Sequence, residues 1–286
     1  MISGVVLLLF VAVALYYCWP RPKSFFLDVT TDYLEVTTDL DTQIVWDISE
    51  ATLCVPGARE ETDGNRTLER NECAGLFVRH ALENVELDWP DNVTLLLRSG
   101  PNRMLEILIR LEAEQSIEIN GVSATAESLL RIPGRSLDLN GGLGLSGDLV
   151  LGQTAEHGTL KMLQKGRYET REKPFFRSNA LLVDSGSFAM GDAVAIEPAG
   201  GEDRISSYAF LTFDEPRGDG TAPFRVIATS PESLSRLRLE RARANPSYIE
   251  PNWSQRIAND PLAIGIATLL SLLATFLGVL NNLFRR

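Results

Sequence analysis

Charge is absent from both ends of this chain. Of its 286 residues, every Lys, Arg, Asp and Glu except Arg285 and Arg286 lies between Arg21 and Asp260. A long uncharged, apolar stretch must be covered by protein or by lipid, so it constrains folding before any motif is read. The chain therefore divides into two bare ends and one charged middle.

The first end, Met1 to Pro20, carries Val5, Val6, Leu7, Leu8, Leu9, Phe10, Val11, Val13 and Leu15, and is apolar all round rather than on one face. A helix of ~20 residues at ~1.5 Å each covers the ~30 Å hydrocarbon core of a bilayer. Tyr16, Tyr17 and Trp19 follow where amphipathic rings favour the headgroup level, and Pro20 with Pro22 ends the helix. A cleaved signal peptide fits less well, because Met1 to Gly4 bear no side-chain charge and the exit lacks a small-x-small site. Residues 1–20 are thus expected as a transmembrane helix.

The second end, residues 261–284, is expected as another span. Asn259-Asp260-Pro261 opens it with a cap, an acid and a first-turn proline, and Arg285 with Arg286 closes it where they can snorkel. Ala263, Ala267, Ser271 and Thr275 recur every four residues, a small-residue stripe suited to packing against the first span or a second copy. Two spans put both termini on one side of the bilayer. Arg21, Lys23, Arg241, Arg243 and Arg256 flank the spans on the middle-domain side, and this count favours a cytoplasmic middle domain.

Removing the two terminal arginines from 27 Lys and Arg leaves 25 cations against 38 Asp and Glu in the middle. So acidic a body argues against nucleic acid, whose phosphates need a basic face. Its hydrophobic pattern has period two. Phe25, Leu27 and Val29 alternate with Phe26, Asp28 and Thr30, and two apolar runs flank Ser99-Gly-Pro-Asn102 as in a hairpin. Short strands separated by Gly-rich turns predict an all-β domain over 21–229, a sandwich or jelly roll. It is either one large unit or two smaller ones divided near 121–134, where Ser123 to Arg131 reads as a short helix. Ser136 to Leu139 reads as a strand.

Residues 230–260 form a membrane-proximal linker. Ser230-Pro-Glu-Ser233 has the signals of a helix start, whereas Leu237 and Leu239 alternate with charges as in an edge strand. In either form Arg236, Arg238, Arg241 and Arg243 make a basic face near the second span, where anionic headgroups would attract it.

Chemistry is sparse. Gly142-Leu-Gly144-Leu-Ser-Gly147 has dinucleotide-site spacing, but Asp148-Leu-Val-Leu151 continues as strand where a helix is required. Only His80 and His157 could serve a nucleophile as histidine base, and Asp184-Ser-Gly-Ser187 is not a nucleophile elbow. Cys54 and Cys73 have no close cysteine pair for zinc; in an oxidising compartment they would bridge and clip the loop between them. Asn65-Arg-Thr67, Asn92-Val-Thr94 and Asn252-Trp-Ser254 fit the glycan acceptor triplet, which arises readily by chance. No cofactor and no metal site is expected. The leading expectation is a double-spanning, non-catalytic membrane protein whose β domain binds a protein partner, scaffolds or senses, with self-association through the spans. The alternatives are a tethered β-sandwich that binds a glycan or small ligand through aromatics such as Trp46, Trp89 and Tyr168, and an oligomerising membrane-active effector.

Overall fold

A computed structural model describes residues 16–39, 45–57, 73, 77–112, 115–139, 141–153, 163–174, 179–199, 204–216, 221–241 and 244–284. The period-two pattern makes strands because successive side chains point to opposite faces. In β1 (Lys23–Thr31), Phe25, Leu27 and Val29 are buried while Phe26 and Asp28 face outward.

Strand β1 and the next strand, β2 (Tyr33–Thr38), form one extended run bent at Asp32. The bend exchanges neighbours. β1 lies between β11 (Leu163–Glu172) and β15 (Phe224–Thr229), whereas β2 lies between β10 (Leu143–Leu151) and β5 (Thr94–Gly100). β10 makes the matching switch. Residues 143–147 pair with β14 (Ser207–Phe213), 147–151 with β2, and 150–151 also with β13 (Ala193–Pro198). Gly147 stands at the changeover with φ +145°, and a Cβ there would come within 2.0 Å of the Thr37 carbonyl oxygen. Only glycine allows so close a crossing.

Every pairing is antiparallel. The path runs β12 (Leu181–Phe188), β11, β1, β15, β14, β10, β2, β5, β6 (Met104–Arg110), β9 (Leu129–Pro133), β3 (Trp46–Pro56) and β4 (Phe77–Leu87). β13, β16 (Ser235–Glu240) and β17 (Ser247–Ile249) branch from β10, and β7 (Ser116–Ile119) with β8 (Val122–Thr125) is a separate hairpin. This sheet curls twice. In one half Trp46 of β3 donates its indole N–H to the Gly144 carbonyl of β10 at 2.7 Å, bringing strands distant in the path face to face. In the other, Lys23 and Ser233 bridge across the approach to β16, and Gly191 N–H reaches the Leu163 carbonyl at 2.9 Å. One continuous core, with Phe25, Leu53, Leu97, Ile107, Leu211 and Phe224 fully buried, fills both halves.

The domain is therefore all-β. The hairpin at Ser99–Asn102 forms as expected between β5 and β6, with Asn102 and Arg103 at positive φ. Ser123 to Arg131 contains no helix. Thr125 donates its N–H to Ser128 Oγ at 3.0 Å around Glu127 at φ +69°, and this tight turn joins β8 to β9 inside the first half. Ser136 to Leu139 is helical rather than extended, within α1 (Gly134–Leu139). The reason is tertiary: Ser136 Oγ accepts from Ser49 and donates to the Glu50 carbonyl, while Leu137 is buried. Residues 235–240 take the edge-strand form, between β13 and β17.

Two helices follow, α2 (Trp253–Asn259) and α3 (Pro261–Phe284). Among the described residues no helix is long and apolar enough to cross a membrane. The N-terminal segment is described only from Tyr16, and α3 side chains are described only as far as Phe276, so neither expected span is established by the fold itself.

Candidate functional site at the entry and exit of the domain

The chain enters and leaves the β domain at one place. Asn252 caps α2 through a capping box: its side chain accepts from Gln255 N–H at 2.9 Å, and the Gln255 side chain accepts from Asn252 N–H at 2.8 Å. This cap fixes where the seven-residue helix starts, and so turns Arg256 inward. Asp260 then ends α2 and starts α3, with Oδ1 accepting from Leu262 N–H at 2.9 Å and Pro261 at the first helical position.

Arg256 is 8% exposed and Glu172, at the end of β11, is 0% exposed. The guanidinium donates from Nη2 to Oε1 of this carboxylate at 2.9 Å, and its Nε stands 2.9 Å from Oε2 as an ionic contact that makes no hydrogen bond. Its Nη1 donates to the carbonyls of Tyr17 at 2.8 Å and Trp19 at 3.3 Å. The Tyr17 hydroxyl donates to Asp260 Oδ2 at 3.1 Å. One arginine thus ties the incoming segment, the end of β11 and the outgoing helix. Beside it Arg21 lies over the Tyr16 ring at 4.4 Å, and Lys23 stands in register with Glu172. Burial lowers the Lys23 pKa, with Glu250 and Glu172 opposing that shift and Arg256 adding to it. Gln255 holds Asp184 at 2.9 Å, and Asp184 also accepts from the Tyr168 hydroxyl. Burial, followed by the Asp184 charge, pushes the Tyr168 pKa up to about 12. A buried carboxylate held by an arginine in this way fixes the geometry of the junction.

The expected site residues fall as follows. Ala263 is half-buried, while Ala267, Ser271 and Thr275 are exposed along α3, and Thr275 Oγ1 donates to the Ser271 carbonyl of its own helix. Arg236 and Arg238 both meet Glu197, Arg238 also meets Glu240, Arg236 covers the Tyr248 ring at 3.7 Å, and Arg241 reaches Asp192 at 2.9 Å. At ~3.3 Å per strand residue, Arg241 lies on the order of 25 Å along β16 from Ser233, so this basic row climbs the wall of the domain. Arg243 lies outside the described residues, as do His157, Asn65 and residues 1–15. Cys54 and Cys73 are joined by a disulfide with Cα atoms 5.8 Å apart, both buried. Gly144 and Gly147 lie on β10 with Gly142 in the turn before it, and His80 is half-buried on β4 opposite Leu53. Asn252 is engaged in its cap.

The three aromatics proposed for ligand stacking do not form a row. Trp46 and Trp89 meet edge to face at 5.5 Å with Trp46 buried, and Tyr168 packs on Phe188 elsewhere. Instead Tyr208 and Phe210 project from β14, exposed. Phe210 is in register with Ile227, and Ile227 with Asp28. Beside them a hollow of about 400 Å³ is lined by Asp28, Thr30, Lys165, Arg167, Asp214 and Arg225.

Sequence reasoning used Arg256 only as a charge near the second span and gave Glu172 no role. Residues 84 apart leave no spacing signal; the one clue was the capping box before Arg256. Comparison with protein families, with curated proteins and with solved structures finds no match.

Proposed function

We propose that the chain is a membrane protein anchored by both ends, with the apolar N-terminal segment and α3 as its two spans, and that its acidic β domain binds or scaffolds a protein partner rather than catalysing a reaction. The observation that carries this reading is the Arg256 junction, which ties entry to exit on one face. Two anchors in one bilayer require that arrangement. α3 adds support: Leu262, Ile264, Ile266, Leu269, Leu272 and Phe276 are 51 to 71% exposed, a surface that water would not tolerate uncovered. Its 24 residues contain no charge and extend ~36 Å at ~1.5 Å each. Trp19 and Trp253, both exposed, mark the interface level. In alkaline carbonate extraction the intact chain is expected in the membrane pellet; its release would overturn the reading.

The buried Cys54–Cys73 bridge favours an oxidising compartment for the β domain, opposite to the side favoured by the basic-residue count. Arg285 and Arg286 would then lie on the cytoplasmic side. Membrane-impermeant maleimide applied to intact cells should label neither Cys54 nor Cys73 before reduction, and external protease should reach the domain. Free thiols at these positions, or protection from the protease, would reverse this placement.

A second reading, recognition of a glycan or small ligand, draws on Tyr208, Phe210 and the adjoining charged hollow. Tyr208→Ala with Phe210→Ala should abolish such binding, as read by a glycan array; an array with no wild-type signal removes the reading.

A further inference from the structure

Phe210 is 42% exposed on β14, yet the fold holds its ring in place. It lies opposite Gly144 on β10, and a Cβ built on Gly142 would come within 2.6 Å of its Cζ. Two of the glycines with dinucleotide-site spacing therefore seat an aromatic ring rather than a phosphate. Tyr208, two residues back on the same face of the strand, is 43% exposed. A ring already ordered loses little freedom when a ligand stacks on it.

Cations stand beside these rings. In one rung across the strands Phe210 is in line with Ile227, Asp28 and Arg167; in the next, Thr212 is in line with Arg225, Thr30 and Lys165. Arg225 is thus a diagonal neighbour of Phe210, at about 7–8 Å. Of the charged residues that line the hollow, Lys165, Arg167 and Arg225 are cations and Asp28 and Asp214 are acids. Asp28 takes Nε and Nη2 of Arg225 and Nη2 of Arg167, while Asp214 accepts from Thr30 and from Glu215 N–H. Among the described residues Lys165 makes no ion pair. The hollow is therefore locally positive on a chain with 27 Lys and Arg against 38 Asp and Glu, so an anion is drawn here and repelled elsewhere. Its volume of about 400 Å³ suits a small ligand rather than the flat patch of a protein interface.

We propose that this face binds an acidic saccharide, a chain of uronate sugars lying across the strands, with its rings on Phe210 and Tyr208 and its carboxylates on Arg225, Arg167 and Lys165. The assignment rests on the ligand-binding reading of these aromatics given above. The electron-rich face of an aromatic ring attracts the C–H face of a sugar, and guanidinium and ammonium groups are strong donors to a carboxylate. From β14 to β11 is about 14 Å at ~4.8 Å per strand, a span for more than one sugar. An acidic peptide offers the carboxylates without a rigid ring to stack.

The test uses the full chain in maltoside detergent, titrated calorimetrically with uronate oligosaccharides, with the same oligosaccharides as methyl esters, and with polyglutamate. The ester keeps the sugar skeleton and removes the charge. A uronate should bind about tenfold tighter than its ester at low salt, with the difference shrinking as salt is added. Lys165→Met should weaken binding of the acid about fivefold and leave the ester unchanged, whereas Phe210→Ala should weaken both. Both side chains are exposed, so both variants should still melt cooperatively. Equal affinity for acid and ester overturns the proposal and leaves the glycan reading standing. No binding of either form also overturns it, and the glycan array then decides the reading on which it rests. Polyglutamate bound as tightly as the uronates assigns the face to an acidic peptide and overturns the saccharide. Wild-type affinity of a folded Lys165→Met for the acid overturns the carboxylate contact.

Discussion

Arginine–carboxylate pairs occur at two places along β1, and their surroundings set them apart. At the base Arg256 grips Glu172 with both groups out of water; on the outer face Arg225 grips Asp28 through two bonds of 3.1 Å, and Arg167 adds a third at 3.2 Å. The outer arginines are more than half exposed and Asp28 is 16% exposed. The outer pair makes two hydrogen bonds and the buried pair one hydrogen bond with one close ionic contact, so it is the environment rather than the number of bonds that sets the cost of breaking each. A buried pair cannot lose one partner without stranding the other, while an exposed one exchanges its partner for water and salt.

The largest expected effect breaks the buried member. Arg256→Met should destabilise the fold by roughly 3–5 kcal/mol in urea unfolding, because Glu172 is left charged and dry. Adding Glu172→Leu should recover most of that loss. A single-variant cost under ~1 kcal/mol would mean that the base is wet and the contrast false. Next in size is a covalent tie in the half that lacks the junction. Replacing Cys54 and Cys73 by Ala should cost about 2–4 kcal/mol, with the loss concentrated in hydrogen-exchange protection of β3 and β4.

The exposed fork should give less. Asp28→Asn should cost about 0.5–1 kcal/mol at low ionic strength and close to nothing in molar salt. Its pH dependence sharpens the contrast. The Arg225 hydrogen bond, with Arg167 adding charge, holds the Asp28 pKa below the usual carboxylate value against the opposing effect of burial. A depressed folded-state value contributes stability above the unfolded value of ~4, and that stability fades as pH falls through the folded value. Asp28→Asn should flatten this acid limb in pH-dependent urea titrations. Smallest of all, Tyr208→Ala should change stability by less than ~0.5 kcal/mol, since its ring covers little of the core. A larger loss would make β14's outer face part of the packing rather than a surface.

The strands were readable because alternation is local: Phe25, Leu27 and Val29 announce β1 without any knowledge of their neighbours. The hairpin at Ser99–Asn102 was readable for the same reason. Ser136 to Leu139 misled because four residues fit either period, and contacts to Ser49 and Glu50, more than 80 positions away, decide the outcome. The basic row of 236–241 was visible as residues but not as partners; Glu197 and Asp192 answer it only once β13 and β16 pair. At the junction the sequence reading took Asn252 only as part of a glycan triplet, although it caps α2 with Gln255. Nothing local showed that Arg256 would meet Glu172, 84 positions away.

The Arg256 tie has a mechanical consequence. A pull that separates the incoming segment from α3 is felt first across Tyr17, Arg256 and Asp260, ahead of any strand ladder. While that knot holds, a load applied where the chain enters and leaves stops at the foot of the domain, and the curled strands above are spared it.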